Sequence, residues 1–499
     1  MGKFFNTTDS FVIVIITFFA LFTRLWLIAD PDRVTFDEVH FGNFSSWYIQ
    51  KRFHFDIHPP LGKLLMTTIA KWTQYKGGIH YTENFGKHYE FNDLYFVSQR
   101  ITPAIFSAFT TPLMFAACRC LSISTFSSAC AGIILSTDLS LIVEGKFILS
   151  DGMLHFFTML HIFALCLFLG QSNYFRLIFT SITLGLASAC KYTALCLYAL
   201  DGMTQLVWIY LNRPTIRRII IRAYRFLFPS FITLFLVWVW HFISTPYDGY
   251  NSEYISQSHA STIIPYSQKD YAYFGNRIRG SFLIARIIFW NVVMNNINMR
   301  SDIPHPYGSM PINWWLLRDK WVGFLSASHN TRQIYCMGSP ACYIFSSIAI
   351  ILTIIIAFIH FFVNNIKCLQ KFNFNLHPDW RNALFIWGWM VSYFPFLLVP
   401  RTMFLYHYLI PLMFAILNMI ALVENCTTKQ ARGFILTLLT TLCILCYLFF
   451  SPWVYGIRCP DCEATRLWSE RWSTGPPKPI HNFGIELYNT TEMERDLNV

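Results

Sequence analysis

Charge is what this chain has least of. Only 13% of its 499 residues are Asp, Glu, Lys or Arg, too few for a soluble multidomain protein. Nucleotide-handling signatures are absent as well: there is no Walker loop, no dinucleotide fingerprint and no HExxH helix, so a soluble nucleotide donor loses ground. No period of 20 to 50 residues, low-complexity tract or flexible linker divides the sequence, which reads as one membrane domain over 1–499 with no separate soluble module. A disulfide framework is missing too. Most of the 14 cysteines, among them Cys130, Cys166, Cys196, Cys443 and Cys446, lie in apolar runs where a thiol behaves as a small hydrophobe. Two pairs in non-cytosolic segments, Cys336 with Cys342 and Cys459 with Cys462, are placed to bond. A single CPDC without a second ligand pair does not make a zinc site, and no metal is expected.

What the chain has instead is hydrophobicity: 54% of residues, with a positive mean hydropathy. Apolar runs at 11–29, 97–117, 125–143, 151–170, 174–190, 192–211, 226–244, 342–363, 382–400, 403–423 and 433–450 predict an all-α polytopic protein with about eleven transmembrane helices. The first run is long, lacks a small-residue cleavage site and leads directly to Asp37 and Glu38, so it reads as a retained helix. The net charge of +11 suggests nucleic acid until the basic residues are placed. Lys3, Arg119, Arg176, the run at 213–225, Lys367, Lys371, Arg381, Lys429 and Arg432 all fall on one side of the membrane if the N-terminus is cytosolic. The opposite side then receives a first loop (30–96), a large loop (245–341) and a C-terminal tail (451–499). Sequons at Asn43, Asn425 and Asn489 carry little weight, and Asn425 falls on the cytosolic side.

The densest chemistry lies at 34–65, VTFDEVHFGNFSSWYIQKRFHFDIHPPLGKLL. Val39, Phe41, Phe44, Trp47 and Tyr48 recur at helical spacing and predict an amphipathic interfacial helix starting at Asp37. HPP at 58–60 stops one element, because proline fixes φ and restricts its predecessor, and a second helix is predicted over 61–72. Asp37 and Glu38 are either topology markers at the membrane surface or a functional pair, in which one carboxylate accepts a hydroxyl proton while the other orients a group or binds a cation. Arg100 either snorkels to headgroups or, with Arg401, holds a phosphate by paired hydrogen bonds. His407 would be a gratuitous polar group in lipid unless it faces a cavity. Asp138, Lys146 and Asp151 bracket a turn that is either a solvated pair of caps or part of a site. Lys191 marks a boundary or neutralises a buried acid or phosphate. HPYGSMP at 305–311, containing His305, needs no more than a turn to explain it; the large loop also holds several tyrosines, Tyr271 and Tyr273 among them, and tyrosines and tryptophans near span ends read as interfacial anchors rather than sugar platforms.

FDEVHFGNFSSWYIQKRFHFDIHPPLGKLL closely resembles the first lumenal loop of the dolichyl-phosphate-mannose protein O-mannosyltransferases. RITPAIF (100–106), KFILSD (146–151), SACKYT (188–193), HPYGSMP (305–311), YCMGSP (335–340) and RTMFLYHYLIP (401–411) follow in that family's order. The resemblance implies a GT-C membrane fold in the endoplasmic reticulum membrane with a lumenal site. It further implies inverting transfer of mannose from dolichyl phosphate mannose to Ser or Thr of secretory polypeptides, with the lipid-linked donor as substrate and no cofactor or metal. By the same resemblance Asp37 is the base and Glu38 its support. Arg100, Arg401 and Lys191 meet the donor phosphate, and His58, Asp151, His305 and His407 are further site candidates. A homo- or heterodimer with a homologous transferase is the implied partnership. Three features depart from the pattern: 245–341 is too short for the lumenal MIR module, Lys146 stands where arginine is usual, and Gly338-Ser339-Pro340 replaces GNP. Rival expectations are another GT-C transferase acting on a lipid or glycan, and a non-enzymatic polytopic transporter, although the mid-span breaks and matching halves of transporters are not evident.

Overall fold

A computed structural model describes residues 5–82, 95–250, 254–255, 257–260, 262–268, 280–300, 305–326, 332–365 and 377–472. Tyr271, Tyr273, Asn489 and the tail from 473 lie outside the described residues. In chain order the helices are α1 (Thr7–Leu25), α2 (Glu38–Ile49), α3 (Leu61–Trp72), α4 (Tyr95–Cys120), α5 (Thr125–Ser136), α6 (Leu139–Lys146), α7 (Asp151–Gly170), α8 (Tyr174–Ser188) and α9 (Cys196–Asn212). They continue as α10 (Ile216–Ser244), α11 (Gln257–Ala260), α12 (Gly280–Arg300), α13 (Pro311–Trp314), α14 (Pro340–Asn365), α15 (Trp380–Tyr393), α16 (Leu409–Cys426), α17 (Lys429–Tyr455) and α18 (Cys462–Arg466). Four short strands pair two by two: β1 (Arg52–His54) runs parallel to β2 (Tyr247–Tyr250), and β3 (Val322–Ser326) antiparallel to β4 (Gln333–Cys336).

Eight helical stretches among the described residues are long and apolar enough to cross a membrane, and α5 with α6 makes a ninth that is bent by 57°. These, with the shorter α8 and α15, occupy the eleven apolar runs. Two runs differ from the expected straight spans. In 382–400 the helix stops at Tyr393 and a 3-10 turn over Phe394–Leu397 takes over, because Pro395 has no N–H for a continuing ladder and is tolerated only in the first turn of a new element. In 125–143 the helix breaks between Ser136 and Leu139, and buried polar groups complete both broken ends. Arg24, at the end of α1, donates to the carbonyl of Ser136 at 2.6 Å, a cation where the helix dipole is negative. Asp138 caps α6 by accepting from the amide of Leu141 at 2.9 Å. Asp138, Lys146 and Asp151 are all buried, so the reading of a solvated turn does not hold.

α16 forms the centre of the bundle. Every residue from Leu409 to Leu422 is buried, as expected of a helix apolar all round. α1, α14 and α17 instead expose large apolar side chains such as Phe11, Phe18, Ile354, Phe358, Phe434 and Leu448, the faces that lipid would cover. α3 spans the residues predicted for it. α2 also forms where expected, but Glu38, Val39, Phe41, Phe44, Ser45, Ser46 and Tyr48 are all buried, so it is packed inside the protein and does not lie on an interface. The helical spacing was real; β1, α3 and the loop at Tyr75–Tyr81 cover the sides that solvent or headgroups would have met. Gly42 illustrates this, since a Cβ there would sit 2.4 Å from the Tyr81 ring.

Candidate active site

The acidic pair at the start of α2 divides its labour sharply. Glu38 is fully buried and its carboxylate is saturated. It accepts from the amide and hydroxyl of Thr35, both at 3.1 Å, from the amide of Ile148 at 3.1 Å, and from the Arg100 guanidinium through Nε at 2.7 Å and Nη2 at 2.8 Å. Arg100, also 0% exposed, spends its remaining donors on the carbonyls of Ile28, Pro31 and Arg33. This bidentate node ties α1's exit, α2, α4 and the α6–α7 turn together. It corrects the expectation that Arg100 meets a phosphate: its donors point at protein oxygens, and a buried pair this well satisfied is costly to open.

Asp37, one residue earlier, is half-buried, and no described residue donates a hydrogen bond to its side chain. Although it stands at the N-cap of α2 it does not cap it. Burial raises its pKa above the ordinary carboxylate value, against the opposing fields of His40, Lys191 and His58 and with the help of Asp151. Phe36 before it adopts φ = 46°, a left-handed conformation that a bulky residue holds only under constraint. The constraint is visible: its ring packs at 4.3 Å from that of Phe324 on β3 and 6.5 Å from that of Tyr406. The twist at Phe36 sends Glu38 inward and leaves Asp37 facing the cleft groups that act on it.

Those groups come from α7, the turn before α9 and the turn before α16. Asp151 opens α7 and pairs with Lys191 at 3.0 Å. Close packing fixes its position: a Cβ on Gly152 would lie 2.5 Å from the Pro103 carbonyl, and one on Gly62 would lie 2.8 Å from Ser150. Leu61 donates to the carbonyl of Ala189 at 3.0 Å, which brings the HPP end of the first loop to Lys191. Tyr406 lies under the Lys191 ammonium at 5.4 Å and stacks on His407, which also stacks on Trp314 at 6.0 Å and 12°. Asp151, Lys191, Tyr406 and His407 thus line one cleft with Leu154, His155, Thr193 and Ile410.

His58 borders this site from the first loop, its Nδ1 3.2 Å from Asp56 Oδ1. Lys63 donates to the other oxygen of Asp56 and to the carbonyl of His58 at 2.8 Å. Burial opposes charge on Asp56, yet Lys63 and His58 hold its pKa far below the usual carboxylate range, so it presents a fixed negative charge to His58. Arg401 donates to Asn298 Oδ1 at 2.5 Å. His305 packs edge-on against Phe404 at 5.0 Å, and its loop is joined to the Arg401 turn by Ser309 donating to the Met403 carbonyl at 2.8 Å. His305 therefore supports that turn and is not among the residues lining the cleft. Cys336 and Cys342 do not pair: both thiols are free and buried, and Cys336 faces Glu144 Oε1 at 3.5 Å. Cys459 and Cys462 are bonded. No group of three or more metal-ligating side chains occurs among the described residues. Sequence reasoning missed Glu144, His155, Thr193 and Tyr406. His155 sits four residues after Asp151 on the same helix face, a spacing readable in advance.

A bundle of this architecture with an acid-bearing first loop beside a cleft is a polytopic protein of the GT-C fold. A chain of the Saccharomyces cerevisiae protein O-mannosyltransferase Pmt1–Pmt2 complex, bound to the sugar donor, shares that fold with a TM-score of 0.81 at 17% identity, covering 94% of this chain and 93% of that one. Residues 14–248 match the family model of the dolichyl-phosphate-mannose-protein mannosyltransferases, and residues 283–472 that of the C-terminal four-TMM region of protein-O-mannosyltransferase. The chain belongs to the protein O-mannosyltransferase family. Among its relatives, dolichyl-phosphate-mannose–protein mannosyltransferase 4 of Schizosaccharomyces pombe is 36% identical over 29% of this chain and 18% of that protein. Mannosyltransferase 1 of Saccharomyces cerevisiae is 28% identical over 51% and 33%, and protein O-mannosyl-transferase 2 of Danio rerio 30% identical over 39% and 26%. The matched stretches thus span a third or less of these relatives' lengths.

Proposed function

We propose that this chain transfers mannose from dolichyl phosphate mannose to Ser or Thr hydroxyls of secretory polypeptides, with inversion, at the lumenal face of the endoplasmic reticulum membrane. The observation that carries the reading is Asp37: a half-buried carboxylate with a raised pKa and no hydrogen-bond donor among the described residues, beside the Lys191–Asp151 cleft. A Ser or Thr hydroxyl is a poor nucleophile until its proton is taken, and a carboxylate with a raised pKa is a better base than an ordinary one. Asp37 accepts that proton as the hydroxyl oxygen bonds to the anomeric carbon. The bond from that carbon to the phosphate oxygen breaks on the opposite face, and its electron pair leaves with the lipid phosphate. Lys191 and Arg401 steady that charge, an effect largest where water is scarce. Arg100 acts as a positioning residue: through Glu38 it fixes the backbone from which Asp37 projects. The cytosolic N-terminus and the pairing with a homologous transferase belong to the same proposal. The named fold neighbour is a complex of two such chains.

Purified protein in nanodiscs, given dolichyl phosphate mannose with a Ser/Thr peptide or a glycolipid acceptor, tests the reading. Mannose is expected on the peptide, in excess chelator as without it. Transfer to the glycolipid alone, or none to either acceptor with or without the partner chain, overturns it.

A further inference from the structure

Two polar atoms on the wall of the Lys191 cleft have no hydrogen-bond partner among the described residues: Nδ1 of His155, a residue only 2% exposed, and the hydroxyl of Thr193. Buried polar groups are satisfied in the great majority of cases, and each exception calls for an explanation. These two line the cleft that holds the Lys191 ammonium. His155 lies one turn further along α7 than Asp151, the partner of Lys191, and Thr193 lies two residues after Lys191.

The lining also mixes chemistries: Asp151 and Lys191 are ionic, Leu154 and Ile410 apolar. An anionic headgroup carrying a hydrocarbon chain matches that mixture. The available chemistry is donor-rich, with an ammonium, a hydroxyl and an imidazole, and donors are what the unprotonated oxygens of a phosphodiester accept.

We infer that His155 and Thr193 are phosphate-binding residues which, with Lys191, seat the phosphodiester of the lipid-linked donor in this cleft. The inference rests on the function proposed above and moves the centre of phosphate recognition away from Arg100, whose donors are occupied by Glu38 and three carbonyls.

The test is binding of dolichyl phosphate, dolichyl phosphate mannose and uncharged dolichol to the purified full chain in nanodiscs, with wild type compared against Thr193→Val, His155→Leu and the polar replacements Thr193→Ser and His155→Asn. Thr193→Val is nearly isosteric, so it remains informative if His155→Leu fails to fold. Loss of a hydrogen bond to a charged oxygen is expected to weaken both phosphate lipids by about tenfold or more in the apolar variants, to leave dolichol unchanged, and to be largely restored in the polar ones. Equal binding of the phosphate lipids by wild type and folded apolar variants overturns the inference, as does a loss confined to the mannosylated lipid, which would make the pair a sugar reader. Mannose transfer by wild type is measured in parallel. Its absence alongside a phosphate-specific binding loss counts against the proposed function and leaves the phosphate seat standing.

Discussion

Glu38 and Asp37 are adjacent in sequence and opposite in environment. Around Glu38 every oxygen is spoken for, by Arg100, Thr35 and Ile148; around Asp37, and on the cleft wall at His155 and Thr193, polar groups are left open. The sealed region is where opening a pair destabilises the protein. The open region is where the fold tolerates unsatisfied chemistry, as functional sites do. Residue type does not separate the two, since both hold carboxylates and cations; hydrogen-bond saturation does.

The comparison breaks most visibly if the base is removed. Asp37→Asn should lower peptide mannosylation by two to four orders of magnitude, the range for a lost general base, with an unchanged thermal midpoint in detergent; normal turnover by this variant would falsify the base assignment. Arg100→Ala should do the reverse. By stranding a buried carboxylate it should cost about 3–5 kcal/mol of stability, read as a large drop in thermal midpoint and yield. A well-folded Arg100→Ala protein that had lost only donor affinity would return Arg100 to phosphate binding. Lys191→Met is expected to weaken dolichyl phosphate binding by about ten- to a hundredfold and to leave dolichol unaffected. Phe36→Gly keeps the left-handed backbone accessible but removes the ring that holds it, so kcat should fall about tenfold through misplacement of Asp37 with donor affinity retained. The smallest effect expected is a displacement of the pH profile. Because burial raises the pKa of Asp37, kcat/KM should be lost on acidification at a pH above the roughly 3.9 of an ordinary aspartate. An acid limb at or below that value would contradict the half-buried environment.

What the sequence disclosed depended on the range of the interaction. α3 starts where proline places it, and each apolar run contains a helix, because these are local properties. The environment of α2 was not legible. Its apolar spacing is what an interfacial helix shows too, and only tertiary neighbours such as Tyr81 and His54 decide between lipid headgroups and protein. Arg100 was misread for the same reason. An arginine near the membrane surface suits a phosphate as well as a glutamate, and its partner stands 62 residues away. The break in the 125–143 run had a local sign in Asp138 as a helix cap, but the apolar residues on either side of it concealed the break. The shared face of Asp151 and His155 was there to be read; what gave it meaning was Thr193 arriving from another helix.

The parallel pairing of β1 with β2 fixes an order of events during biosynthesis. Arg52 donates to the carbonyl of Asp248, 196 residues later, where Gly249 passes so close that a Cβ would lie 2.0 Å from the Phe53 carbonyl. At about 5–20 residues per second of synthesis, roughly 10–40 s separate the emergence of the two strands. During that interval the acidic loop already exists on the ribosome-bound chain without its edge partner, and Glu38 waits first for Arg100 and then for Ile148. The site is therefore a late product of membrane insertion, and a nascent chain truncated before β2 should carry the whole acidic motif yet lack the edge that completes it.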